Sequence, residues 1–352
     1  MTLKIGNRII GDGKTFVIAE MAWSHDGSSD IAKKIIDAAA EAKADAINMH
    51  VTFLSEYMIR SYGAGKGRLS AGKDDSDVYK YLDKINPSFD MLQELIAYAK
   101  KKGLLISLLC NDMRSVDFAA QHADIFQIHS GTMLEEDLVR KVASQKKPIV
   151  LKVGGAYLGE IEKSLSWIKE EGNNSIILMY GFQNYPTRLE TIHLNFIKTL
   201  QETFGLHVGF ADHTDGSTEI AVIIPLVGIA KGATVIEKHL THDREKKCED
   251  FESALNPDAF AKMMQFIREM ESSFGSSSMR AFSADELNYR QVSKKRVVAK
   301  AAMRKGSVLT KDMLICKRSD EGVYPDEIKM LLGRTLKLDR EPDDPITWET
   351  LM

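Results

Sequence analysis

The sequence predicts an α/β protein: a (β/α)8 TIM barrel followed by a small β-rich C-terminal domain. Eight short apolar runs alternate with longer amphipathic segments over about 250 residues, which is the count and size of such a barrel. No glycine-rich phosphate fingerprint follows the first run, which disfavours a doubly wound open sheet. After residue 270 a flexible GSSS break and shorter strand-like pieces indicate a second body.

The predicted strands are short and rich in aliphatic residues, as buried parallel strands are. They are TFVIAEM (15–21), AINMHV (46–51), LLISLLC (104–110), IFQIHS (125–130), PIVLKVG (148–154), SIILMYGF (175–182), HVGFADH (207–213) and TVIEKHL (234–240). Between them, segments such as 89–103 carry apolar residues at helical spacing and end in Lys-Lys-Lys-Gly, a helix stop signal. The polar stretch 54–88 is predicted to be a long loop above the active face of the barrel.

These patterns divide the chain into a barrel (1–275), a linker (276–295) and a C-terminal domain (296–352). The last domain contains the strand-like pieces RVVAKAAM, SVLTKDMLICKR and TLKL. A domain of this size is marginally stable alone, so we expect it to pack on the barrel or on a second subunit.

Composition excludes several classes of function. The net charge of −3 gives no basic surface for nucleic acid, and no apolar run approaches the ~20 residues of a membrane span. The N-terminus lacks the apolar core of a signal peptide, and the three cysteines lack metal-ligand spacing. We therefore expect a cytoplasmic protein without nucleic-acid or membrane partners.

Two histidines, His213 and His239, close two matching apolar runs. Parallel α/β folds place their chemistry at such strand ends. Two neighbouring imidazoles there can share one divalent metal, because neutral imidazole is the commonest metal ligand. The alternative is that each histidine packs beneath a loop.

Seven motifs resemble the N-acetylneuraminate (sialic acid) synthase family across nearly the whole chain. They are IAEMAWSHDGS (18–28), ADAINMHVTF (44–53), QIHSGTM (127–133), NYPT (184–187), GFADHTDG (209–216), GATVIEKHLTHD (232–243) and KRSDEG (317–322). The resemblance implies a barrel joined to an antifreeze-like (SAF) domain. It also implies condensation of phosphoenolpyruvate with an amino-sugar aldehyde to give a nonulosonic acid.

The resemblance also assigns residues and a cofactor. His213 and His239 fall on the ligands of a divalent metal, usually Mn²⁺, with Mg²⁺ possible because selectivity depends on geometry and availability. Glu20 falls on an acid that orients a substrate group or a water, although a structural carboxylate tying two strand ends is the alternative. Tyr185 falls at the active face. Arg318 falls on an arginine that one subunit inserts into the other's site, which implies a domain-swapped homodimer.

The predicted substrate-binding set combines this carry-over with residues that depart from the family pattern. It comprises Asn48, His50, Gln127, His129, Ser130, Gln183, Asp212, Asp250 and Arg318. Asn48 and Gln127 stand where the family has lysines. Losing two charge-assisted contacts, at ~1.5–3 kcal/mol each, would lower the affinity for a phosphate-bearing donor roughly 10²- to 10⁴-fold.

Lys152 stands where the family has a serine, on the fifth predicted strand. Three interpretations compete: it replaces the missing cations and holds a phosphate or carboxylate, it forms a Schiff base with a carbonyl substrate, or it extends to solvent. His50 and His129 are also unusual for the family. They can enlarge the metal site, act as acid and base, or bind a different acidic substrate, unless one simply bonds a loop carbonyl.

The leading hypothesis is therefore a sialic-acid-synthase-like, carbon–carbon bond-forming transferase with an unusual donor end. The alternatives are an aldolase or lyase that uses Lys152 or the metal with a keto acid, and a non-catalytic sugar-acid-binding relative.

Overall fold

A computed structural model describes residues 3–60, 78–182, 184–275 and 278–352. The chain divides into two compact units, Met1–Gly275 and Ser276–Met352. No helix among the described residues is long and apolar enough to cross a membrane.

The first unit begins with an antiparallel hairpin and continues as a closed barrel of eight parallel strands. The hairpin strands are β1 (Leu3–Ile5) and β2 (Arg8–Ile10). The barrel strands are β3 (Phe16–Ala22), β4 (Ala46–Val51), β5 (Leu105–Cys110), β6 (Ile125–Ile128), β7 (Ile149–Lys152), β8 (Ile176–Tyr180), β9 (His207–Asp212) and β10 (Val235–His239). Strand β10 pairs with both β9 and β3, which closes the barrel and confirms the predicted fold class.

Helices surround the barrel. They are α1 (Ser29–Glu41), α2 (Leu54–Tyr57), α3 (Val78–Ile85), α4 (Phe89–Lys101), α5 (Met113–His122), α6 (Glu136–Ser144), α7 (Leu158–Glu170), α8 (Phe196–Phe204), α9 (Ile220–Ala230) and α10 (Pro257–Phe274). Two of them, α2 and α3, lie inside the stretch predicted as a loop. Helix α3 forms because Val78, Leu82 and Ile85 bury one face against Trp23 and Leu54. Residues 61–77 of that predicted loop lie outside the described residues.

The strand side chains alternate between two cores, as the period of two requires. Val17 and Ala19 pack outward against the helices, whereas Phe16 and Ile18 pack into the barrel interior. The hairpin residues Leu3, Ile5 and Ile10 belong to the same interior cluster, so the hairpin fills the N-terminal end of the barrel.

Two residues beyond the apolar inward positions, the interior becomes polar. Ile18, Ala46, Ile125, Val150 and Val235 all belong to the interior apolar cluster. The next inward positions on the same strands are Glu20, Asn48, Gln127, Lys152 and Glu237. We call these five residues the polar layer. It lies toward the carboxyl ends of the strands, where barrel enzymes place their active sites.

The second unit is small and has its own core. It contains α11 (Ala284–Ser293), the antiparallel strands β11 (Lys295–Ala299) and β12 (Leu314–Arg318), and α12 (Ile328–Leu331). The predicted linker thus contains a helix, and Ser283 and Glu286 form a capping box at its start. The predicted TLKL strand is reduced to isolated bridges, such as Leu336 with Leu351. Single 3-10 turns occur in both units, at Leu189–Thr191, Arg244–Lys246, Lys311–Met313, Pro325–Glu327 and Trp348–Thr350.

Candidate active site

The two histidines come together at the end of the barrel. His213 directly follows β9 and His239 ends β10, and their ring centroids are 5.2 Å apart. Both side chains are buried, and within the described part of the chain none of their four ring nitrogens has a hydrogen-bond partner. Burial lowers the pKa of His213 to about 3 and, helped by the neighbouring His213, lowers the pKa of His239 well below its usual value. Both imidazoles are therefore neutral at pH 7 and have free lone pairs, as metal ligation requires.

Tyr185 and Asp250 complete this corner of the site. The Tyr185 ring stands edge-on to both imidazoles, with centroid distances of 5.4 Å to His213 and 5.8 Å to His239. Asp250 Oδ2 lies 3.8 Å from His239 Nδ1. Burial, followed by repulsion from Glu249 and Glu20, raises the pKa of Asp250 well above its usual value. The Asp250 carboxyl is therefore protonated more readily than an ordinary aspartate, and it can form a hydrogen bond with a ligand hydroxyl.

The arrangement fits a divalent ion held by two imidazoles. Four buried, unpartnered ring nitrogens are costly unless a ligand satisfies them. Among the described residues, no group of three or more His, Cys, Asp or Glu side chains has the geometry to hold a metal ion by itself. The protein would therefore supply His213 and His239, and water or substrate oxygens would complete the coordination.

Lys152 lies inside the barrel between two carboxylates. Only 5% of the residue is exposed, so the interpretation in which it extends to solvent is wrong. Its Nζ is 2.8 Å from Glu237 Oε1 and 3.4 Å from Glu20 Oε2. Burial lowers the pKa of Lys152, but attraction to Glu237 and Glu20 outweighs burial and raises the pKa overall. The amine is held as an ammonium because it faces two acids.

Glu237 was not predicted from the sequence. Its side chain is 1% exposed, pairs with the Lys152 ammonium and accepts a hydrogen bond from Gln127 on the opposite side of the barrel. The available signal was its position two residues before His239 in the same strand, which puts both side chains on one face.

Glu20 is the second acid of the polar layer. Its Oε1 accepts from the Ala22 backbone at 2.8 Å, across a register shift in β3. Burial raises the pKa of Glu20 to about 7, although Lys152 opposes the shift. A carboxyl group with this pKa can hold or release a proton near neutral pH.

Asn48 and Gln127, predicted substrate-binding residues, bond to these acids. Asn48 Nδ2 donates to Glu20 Oε2 at 2.7 Å, and Gln127 Nε2 donates to Glu237 Oε2 at 2.7 Å. Both amide oxygens are buried and have no hydrogen-bond partner in the described ranges. The two positions therefore offer acceptor oxygens, where lysines would offer positive charge.

The remaining histidines differ from each other. His50 faces the polar layer: its Nε2 lies 3.8 Å from Glu20 Oε1, and its ring meets Trp23 edge-on at 4.6 Å. Its Nδ1 has no hydrogen-bond partner among the residues described. His129 is half-buried, and its Nδ1 accepts from the Gly131 backbone at 3.0 Å. The predicted alternative was a bond to a loop carbonyl, whereas this ring nitrogen accepts from a loop N–H.

The last three predicted residues of the barrel are Asp212, Ser130 and Gln183. The Asp212 side chain points to the outer face, because it alternates with His213, and it binds Lys238 instead of facing the pocket. Ser130 is half-buried in the loop after β6. Gln183 lies outside the described residues.

Arg318 belongs to the second unit. It is exposed at the end of β12, and its Nε and Nη2 donate to the Val292 carbonyl at 3.1 and 2.8 Å. This internal bond stabilises the side chain within its own unit.

Comparison with known proteins agrees with this architecture. Residues 35–279 match the NeuB family, and residues 295–352 match the SAF domain. The chain is 32% identical to an uncharacterised protein of Methanocaldococcus jannaschii, covering 99% of this chain and 98% of the relative. It is 29% identical to the N,N'-diacetyllegionaminic acid synthase of Campylobacter jejuni, covering 95% and 99%.

A solved structure gives the same result. The spore coat polysaccharide biosynthesis protein SpsE of Bacillus subtilis superposes with a TM-score of 0.66 at 26% identity, covering 100% of this chain and 99% of that one. The chain therefore belongs to the NeuB family, the sialic acid synthases, which are carbon–carbon bond-forming transferases.

Proposed function

We propose that this protein condenses phosphoenolpyruvate, or a related three-carbon donor, with an amino-sugar aldehyde to give a nonulosonic acid. The observation that carries the proposal is the pair of neutral histidines, whose four buried ring nitrogens have no hydrogen-bond partner among the residues that the structure describes. The reaction class is supported by the similarity of the chain to nonulosonic acid synthases. The polar layer beside the pair supplies groups that can bind and orient both substrates.

His213 and His239 would hold the metal, Mn²⁺ in the first place and Mg²⁺ as the alternative. When bound, such an ion polarises the sugar carbonyl and so makes it a better electrophile. The chain's own residues then shape the acceptor pocket. Asp250 is placed to bond sugar hydroxyls, while the Tyr185 ring packs edge-on against both imidazoles.

Glu20 is the proposed acid–base group. Its carboxyl lies within the polar layer and bonds Asn48 on the neighbouring strand β4 and Lys152 on β7 across the barrel, and these two contacts fix its orientation. Because its pKa is about 7, it can accept or return a proton as water adds to the donor carbon. The imidazole of His50, whose Nε2 lies 3.8 Å from Glu20 Oε1, can share this task.

The Lys152 ammonium is proposed to bind the anionic group of the three-carbon donor. Schiff-base chemistry requires a neutral amine, and the two carboxylates that face Lys152 keep it protonated. This disfavours the aldolase alternative. Because two acids share one ammonium, the donor should bind more weakly than in a site lined by several lysines.

The test uses the full chain with phosphoenolpyruvate, Mn²⁺ and a panel of N-acetylated amino sugars. We expect inorganic phosphate and a nine-carbon acid to form together, and only when an acceptor is present. Borohydride trapping of a keto acid on Lys152, without phosphate release, would favour the aldolase. Stabilisation by a sugar acid with neither reaction would indicate a binding protein.

We also propose a domain-swapped homodimer in which Arg318 reaches the other subunit's site. Its exposure at the end of β12 is compatible with that role. The Val292 contact would have to be exchanged for substrate contacts.

The cytoplasm is the proposed location. Cys110 and Cys316 are free thiols in the part of the chain that the structure describes. Unpaired cysteines are typical of a reducing compartment.

A further inference from the structure

A fully buried ion pair lies directly behind the two histidines. Lys238 Nζ donates to Asp212 Oδ2 at 2.6 Å, and both side chains are 0% exposed. The two residues are register partners in β10 and β9. Each one immediately precedes a histidine of the site, Asp212 before His213 and Lys238 before His239.

The same pair also contacts Thr214, the residue that follows His213. Asp212 Oδ1 accepts from the Thr214 backbone at 2.9 Å, and Asp212 Oδ2 accepts from Thr214 Oγ1 at 3.0 Å. Lys238 Nζ lies 3.5 Å from the Thr214 carbonyl oxygen. The residues before and after His213 are therefore both tied to the neighbouring strand.

The imidazoles depend on such main-chain anchors. Ligating histidines usually donate their second ring N–H to a carboxylate or carbonyl, which fixes the ring. Here the ring nitrogens have no partner among the described residues. Instead, the His213 carbonyl accepts from Thr187 N at 2.7 Å and Ser253 Oγ at 2.8 Å, and the His239 carbonyl accepts from Leu255 N at 2.9 Å.

Stability alone does not account for the pair. Removing two charges from water costs several kcal/mol, roughly what their attraction returns, and apolar replacement of buried pairs is often neutral or stabilising. We propose that Lys238 and Asp212 are positioning residues, which fix the separation of His213 and His239 for one shared divalent ion. This inference rests on the metal role proposed above.

The experiment is a Co²⁺ titration of the full chain, followed by visible absorption and by calorimetry. The test variant is Lys238→Met/Asp212→Asn. It removes both charges, keeps the length of both side chains, and keeps an oxygen at position 212 that can accept the hydrogen bond from the Thr214 backbone N–H. We expect Co²⁺ affinity to fall ~10- to 100-fold and the absorption bands to change, with urea stability near that of the wild type. The control is Arg268→Met/Asp45→Asn at the opposite end of the barrel. It removes the Arg268–Asp45 pair of 3.0 Å together with the Asp45–Arg8 and Arg268–Glu271 pairs, and it should leave Co²⁺ affinity unchanged.

The outcomes separate the two proposals. If His213→Ala abolishes Co²⁺ binding while the Lys238/Asp212 variant binds as the wild type does, the positioning role is wrong and the metal site stands. If the wild type itself binds no Co²⁺, both proposals are wrong. Should the double variant not fold, Thr214→Val removes one contact to Asp212 with little change in shape. It should weaken binding several-fold, and unchanged affinity would overturn the positioning role.

Discussion

At the residue scale, the site depends on how burial sets protonation. His213 and His239 are neutral because they are buried near cations, whereas Lys152 stays charged because two acids face it. The histidines could be predicted from the sequence because each ends an apolar run. The environment of Lys152 could not, because its partners come from β3 and β10, far away in sequence.

The same contacts predict the effect of removing the charge. Lys152→Ser leaves Glu20 and Glu237 buried without a counter-ion, so we expect a loss of about 3–5 kcal/mol in unfolding free energy. Urea denaturation measures it. Lys198→Ser, which removes an exposed pair with Glu202, should cost at most about 0.5 kcal/mol.

A compensating variant sharpens this prediction. Lys152→Ser/Gln127→Lys moves the ammonium to β6, beside the Glu237 carboxylate that Gln127 now contacts. We expect it to recover most of the lost stability. If Lys152→Ser is as stable as the wild type, the ion-pair assignment is wrong.

His25 predicts how stability depends on pH. Burial lowers its pKa to about 4, below the ~6.5 of an unfolded histidine, so the unfolded state binds the proton first. Its contribution is complete above pH 6.5 and is lost as pH falls toward 4. Between pH 7.5 and 5 the wild type should lose about 2 kcal/mol more than His25→Asn does.

Denaturant titration at the two pH values checks this difference. His193→Asn is the matched control, because that side chain is exposed and its positive φ suits asparagine. An equal pH dependence in the wild type and His25→Asn would show that His25 is not held neutral.

At the element scale, alternation along the strands explains most of the site. Strand β10 places Glu237 and His239 inward and Lys238 outward, and β9 places Asp212 outward. The strand ranges were predictable because parallel strands buried on both faces give continuous apolar runs. Helix α3 was not, because only its contacts with Trp23 and Leu54 give its short sequence a buried face.

The hairpin gives a prediction at this scale. Ile10 is 1% exposed in the interior cluster, whereas its neighbour Ile9 is 44% exposed. Ile10→Ala should cost about 2–5 kcal/mol of unfolding free energy, and Ile9→Ala much less, because only Ile10 leaves a cavity. Equal effects of the two substitutions would mean that the hairpin does not fill the barrel end.

At the scale of the whole molecule, the order of strands and helices was enough to predict a barrel and a small second unit. The proposed place of Arg318 in the other subunit's site came from the family resemblance, not from the order of elements. The proposed dimer can be tested by mixing unfolded His213→Ala and Arg318→Ala chains and refolding them together. In a swapped dimer, one site of each mixed pair regains both an intact His213 and an intact Arg318.

Activity should therefore appear on mixing two chains that are each inactive. Size-exclusion chromatography of the wild type supplies the matching mass. No activity from a mixture that does form mixed dimers would contradict the swapped arrangement.

The central claim is that two neutral histidines support condensation of a three-carbon donor with an amino sugar. It is tested most directly by phosphate release from phosphoenolpyruvate, measured for the wild type and His239→Ala with acceptor, before and after chelation. We predict release by the wild type that chelator abolishes and Mn²⁺ restores, and none by His239→Ala. Equal release by both proteins in the presence of chelator would contradict the account.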